Sequence, residues 1–142
     1  MHPALPLGPH RPPFSLVDRV ISVAGDTVVA EKRVTAGDPL CGGGGLGGLL
    51  LIEALAQAAA CLMGTRHGGD RHRGYLVAAS GFKFHAIAQP GETVELRARQ
   101  TAALGVLHRF EVAARVGARE IAAGQMTFAI EPAAAITPPR AT

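Results

Sequence analysis

The chain has no tryptophan, a single tyrosine and five phenylalanines, so aromatics make up only 4% of its 142 residues. That leaves no row of stacking surfaces for unpaired bases. Charge of one sign is scarce too: fourteen Lys+Arg stand against eleven Asp+Glu, +3 with histidines neutral. The densest basic stretch, residues 66–73, is too modest to be an electrostatic footprint for nucleic acid. Two cysteines, Cys41 and Cys61, make no disulfide framework. The six histidines have no ligand-like spacing with one another or with carboxylates, so no metal is expected. The proline-rich residues 1–13 contain no apolar h-region, so they do not read as a signal peptide, and a cytoplasmic location is the expectation.

Long hydrophobic runs are also missing, with one exception. Residues 46–63 are apolar or small apart from Glu53 and Gln57, and no proline interrupts them. A carboxylate at mid-span and glycines at the start count against a membrane helix. Alanine-rich and apolar on every side, the segment predicts a buried helix from Leu49 to Met63. Glu53 and Gln57 are four apart and share one of its faces. A buried carboxylate is paired, protonated or employed. The glycine run before it, Cys41 to Gly48, leaves first-turn N–H groups available to a carbonyl oxygen or anion. Gly47, Gly48 and Leu49 are therefore candidate substrate contacts.

On either side the period is that of strands. Residues 15–24 and 27–35 are rich in branched side chains, with a turn at Gly25-Asp26. Strands are also predicted over 75–85, 93–102, 106–116 and 119–130, with turns at Pro90-Gly91, Gly105 and Gly117. Phe82 and Phe84 share a face, and Val94, Leu96 and Ala98 oppose Glu95, Arg97 and Arg99. Residues 1–12 form a proline-rich opening segment and 132–142 a frayed tail. At 48% hydrophobic content the chain reads as one α+β domain, with about six antiparallel strands curved around one helix. Such a sheet leaves the helix's outer side bare, and a second copy could cover it.

Three stretches carry a family resemblance. Pro9-His10-Arg11-Pro12-Pro13-Phe14-Ser15-Leu16-Val17-Asp18-Arg19-Val20, Glu53-Ala54-Leu55-Ala56-Gln57-Ala58-Ala59, and Phe82-Lys83-Phe84 with Pro90-Gly91-Glu92 resemble motifs of FabZ-type β-hydroxyacyl-acyl-carrier-protein dehydratases. The resemblance implies the hotdog fold. It also implies a role in fatty acid biosynthesis as a lyase, acting on acyl thioesters carried by acyl carrier protein or coenzyme A. No cofactor of the enzyme's own is implied, and the assembly would be a homodimer or higher homo-oligomer. It makes Glu53 the catalytic carboxylate and places Phe82, Phe84 and Gln57 against the substrate. The basic residues 66–73 are either a contact for the carrier's phosphates or a solvated loop.

The family's loop before the helix reads Gly-His-Phe-Pro-Gly and supplies a histidine; here the loop is shorter and has none. His10 and His85 are the candidates to replace it, and Cys41 is the one reactive side chain near the lost position. Three readings remain: a divergent dehydratase, a hotdog thioesterase using the helix carboxylate alone, or a non-catalytic partner of an active dehydratase subunit.

Overall fold

The computed structural model describes residues 15–38, 41, 44–66 and 72–132. The chain order is β1 (Arg19–Ala24), β2 (Thr27–Arg33), α1 (Leu49–Arg66), β3 (His72–Phe84), β4 (Thr93–Leu104), β5 (Leu107–Val116) and β6 (Arg119–Pro132). All six strands join one antiparallel sheet in the order β1-β2-β4-β5-β6-β3. The α+β hotdog architecture expected from the sequence is the one formed.

Three hairpins set the registers. Gly25, Gly105 and Gly117 each occupy the first position of a two-residue loop at φ +57°, +60° and +60°, and among the described residues no other residue type adopts positive φ. Those are type II′ turns, whose twist matches that of the flanking strands. Val94, Leu96 and Ala98 face the core with no exposure, as their alternation predicted. On α1, Leu51, Ala54, Leu55, Ala58, Ala59 and Leu62 are fully buried at helical spacing. The alanines among them let the helix axis lie close to the concave face of the sheet.

Some boundaries move. β1 begins at Arg19 rather than residue 15, because Leu16 and Val17 are spent on the core before strand pairing starts. The helix runs on to Arg66. β3 starts at His72 rather than residue 75, and β6 reaches Pro132, because each supplies the other's partners there (His72 opposite Pro132). The opening segment with His10, and the tail from residue 133, lie outside the described residues.

One expectation is overturned. Glu53 was placed in a buried helix, but its side chain is exposed. The sheet curls around only part of α1 and leaves a stripe containing Leu49 (82% exposed) and Glu53, one turn apart. The concave surface of six strands is simply not wide enough to enclose a helix on all sides.

Candidate functional site

The site is built at the start of α1. Gly45 sits at φ +88°, and a Cβ there would run into the carbonyl oxygen of Ala88. This close approach allows Leu46 and Ala88 to exchange two backbone hydrogen bonds, at 2.8 and 2.9 Å. Leu46 itself is fully buried, so the loop is pinned by its side chain as well as its backbone. Ile87 covers Gly47, where a Cβ would lie 2.9 Å from Ile87 Cγ1. Gly48, at φ +53°, turns the chain into the helix.

The first turn is less open than the sequence implied. The N–H groups of Leu50 and Leu51 donate to the carbonyls of Gly47 and Gly48 at 3.2 and 3.1 Å. The amides of Gly48 and Leu49 are the ones the helix leaves unspent, and the dipole of α1 adds partial positive charge at the same place. Glu53 follows one turn along, on the same open stripe as Leu49.

Gln57 ties this carboxylate to the core. It is 3% exposed; its Oε1 accepts the N–H of Leu16 at 2.6 Å and its Nε2 donates to Glu53 Oε1 at 3.3 Å. Because the Leu16 amide can only donate, it fixes which end of the Gln57 amide faces Glu53. Gln57 therefore orients the carboxylate from below. The i, i+4 pairing was visible in the sequence, whereas the anchor at Leu16, 41 residues away, was not.

The remaining candidates are placed as follows. Phe82 and Phe84 stack on the inner face of β3, centroids 5.8 Å apart and planes at 20°. Phe82 is partly buried against the core, while Phe84 is 45% exposed. His85 is exposed just past β3, its N–H donating to Ile121 O at 2.8 Å, three residues before the Leu46–Ala88 bridge. His10 lies outside the described residues. An open depression of 540 Å³ is on the far side of the sheet, beside Arg97, Arg99, Glu111 and Gln125, and does not include Glu53.

Sequence reading overlooked the ion pair under the loop. Lys32 falls on the inward side of β2 with Val28 and Ala30, a break in apolar alternation that was the available signal. It is 6% exposed, 2.6 Å from Asp38 Oδ2 and 3.6 Å from Asp18 Oδ1. Burial alone would lower its pKa. The hydrogen bond to Asp38 and the two carboxylate charges outweigh that and hold the ammonium above its ordinary value. Cys41 lies beside this group, buried, and its thiol is pushed up first by burial and then by Asp38. A thiol so placed is depleted in thiolate, the opposite of an activated nucleophile.

Among the described residues no group of three His, Cys, Asp or Glu side chains is disposed to hold a metal ion, and no helix is long and apolar enough to cross a membrane. Chemically, the arrangement offers amide donors for a carbonyl oxygen and a carboxylate one turn away for proton transfer.

Known proteins resemble this chain in sequence and in fold. A family model described as ApeP-like, ApeP dehydratase, matches residues 2–137. The 3-hydroxyacyl-[acyl-carrier-protein] dehydratase FabZ of Anaeromyxobacter sp. is 39% identical over 124 residues, covering 80% of this chain and 78% of its own. Among solved structures, the dehydratase heterocomplex ApeI:P from Xenorhabdus doucetiae superposes with a TM-score of 0.79 at 20% identity, covering 87% of both chains. The fluoroacetyl-CoA-specific thioesterase FlK superposes at 0.63 with 17% identity, covering 78% of this chain and 89% of its own; at that identity it shares the fold alone.

Proposed function

The chain belongs to the ApeP-like dehydratase family, and from that premise we propose that it supplies the carboxylate-bearing half of a site that dehydrates 3-hydroxyacyl thioesters to enoyl thioesters. One observation carries the reading: Glu53 is presented at the open helix start, braced by Gln57, one turn from the unspent amides of Gly48 and Leu49. The thioester carbonyl docks on those amides, which receive the negative charge that develops as the α-proton leaves. Glu53 exchanges protons with the substrate as acid/base, and Phe84 and Phe82 border the acyl chain. The thioester is carried by acyl carrier protein or coenzyme A, and the protein works in the cytoplasm with no cofactor of its own.

An exposed carboxylate is a poor general catalyst until water is excluded, so the site closes against a second chain. The unpaired edge of β3, with Tyr75, Leu76 and Val77 exposed, provides the surface for it. We assign that partner first to another copy, in which His85 of one chain or the other stands nearest the missing histidine's role. A second reading is favoured by the likeness to a two-component dehydratase complex: an unlike hotdog subunit that brings its own loop histidine.

The test is direct. Purified protein is given 3-hydroxyacyl and saturated acyl thioesters, and enoyl absorbance and free thiol are followed separately. Enoyl formation that drops about 100-fold or more in Glu53→Gln is the expected outcome. Thiol release from saturated substrates would overturn it in favour of hydrolysis. Activity that appears only after a histidine-bearing hotdog subunit is added selects the second reading.

A further inference from the structure

Ile87 is a β-branched residue in the irregular segment between β3 and the turn at Pro90-Gly91, and it is 50% exposed. It lies outside the core cluster, between the partly buried Ala86 and the fully buried Ala88. Its two γ carbons are nevertheless committed to the loop before α1. A Cβ on Gly47 would stand 2.9 Å from Ile87 Cγ1, and a Cβ on Gly45 would stand 3.1 Å from Cγ2. Branching at Cβ restricts the rotamer, so the two carbons act as a fixed wall.

That wall stands against Gly47, one end of the peptide that carries the Gly48 N–H. The carbonyl of this peptide accepts the N–H of Leu50 at 3.2 Å, which turns its own N–H away from the first turn of the helix. The Gly48 carbonyl accepts from Leu51 and Ile52 at 3.1 and 3.2 Å, so the Leu49 N–H is turned the same way. Bonds of this length are at the long end of the range and hold the backbone loosely. With a glycine on each side, the Gly47–Gly48 peptide has no side chain of its own to restrain rotation. Rotated, it would present a carbonyl oxygen where the substrate needs a donor.

We infer that Ile87 is a positioning residue for the dehydration: packed on Gly45 and Gly47, it keeps the Gly48 N–H turned outward toward the carbonyl oxygen of the thioester. This rests on the acyl site proposed above. Ile87 acts through its γ branches rather than its bulk.

The experiment compares Ile87→Val, which keeps both γ carbons, with Ile87→Leu, which keeps the volume but has a single γ carbon. Both replace a half-exposed residue outside the core, so the fold is retained. Enoyl formation gives kcat and KM, and NMR relaxation dispersion of the Gly48 amide reports rotation of the peptide without substrate. Ile87→Val should match the unaltered protein on both readouts. Ile87→Leu should lower kcat by about tenfold with KM held, short of the roughly 10²–10³-fold cost of losing a donor outright. It should also give the Gly48 amide an exchange contribution that the unaltered protein lacks. No change in Ile87→Leu, or equal impairment in Ile87→Val, would overturn the role of Ile87 while the acyl site stands. If the Gly48 amide responds as expected but the unaltered protein forms no enoyl product, with or without a histidine-bearing hotdog subunit, the acyl site itself falls.

Discussion

At the scale of single residues, the carboxylate's behaviour depends on a neutral neighbour. Gln57 bridges Glu53 to the backbone of Leu16, and replacing it by leucine keeps the volume while removing both bonds. The Leu16 amide would then be buried without its partner, at a cost of about 1–3 kcal/mol. Gln57→Leu should therefore lower the midpoint of chemical denaturation by that amount. It should also reduce kcat more than it alters KM, since Glu53 loses its orientation rather than its reach to substrate. A fall in KM-linked binding with kcat intact would mean that Gln57 contacts substrate instead. The Glu53–Gln57 pair was legible in the sequence because helical spacing is a local property. The exposure of Glu53 was not, since it depends on how far six strands can curl.

At the scale of the helix, the buried thiol of Cys61 makes a signature of the fold in alkali. Burial pushes it up from an ordinary value of 9.0 to about 11. The unfolded chain thus ionises first as pH rises, so stability is full below pH 9 and falls progressively between 9 and 11. Two units correspond to about 2–3 kcal/mol. Thermal unfolding followed across this range should show the decline, and Cys61→Ala should lessen it while lowering the plateau slightly, leaving the part due to Cys41, whose thiol is raised in the same direction. Lys32, also raised, contributes in the same sense only above its ordinary 10.5. A slope unchanged in Cys61→Ala would show that the thiol is solvated. The helix itself, its glycine-rich start and its buried face could be read from composition and period. The bridge that pins its first residues to Ala88 could not, because nothing in either segment names the other.

At the scale of the whole molecule, the sheet is unfinished. β3 is thirteen residues long, lies at the edge, and exposes Tyr75, Leu76 and Val77. Long apolar edges are normally blunted by charge or proline; between Gly74 and Gly81 this one carries neither, as a strand used for pairing would. Val77 is 55% exposed. Val77→Lys should convert the assembled species to a single chain in sedimentation, with little change in thermal unfolding, and should abolish enoyl formation along with association. Retention of activity by the single chain would show that Glu53 works without an enclosing partner. The sequence anticipated a bare side to the helix; which strand would be the open edge emerged only from the crossover that carries β3 to the outside of β6.

The amino-acid order alone determined the elements, their alternation, the three tight hairpins and the acidic residue one turn into the helix, because each is encoded by residues close together in the chain. Tertiary structure decided what those parts became. The limited curvature of the sheet brought Glu53 to the surface, a backbone amide far upstream oriented Gln57, and a strand irregularity laid Phe82 on Gly124. These outcomes follow from register and reach between distant segments, and shifting a strand pairing by one residue would reverse them without altering any local pattern.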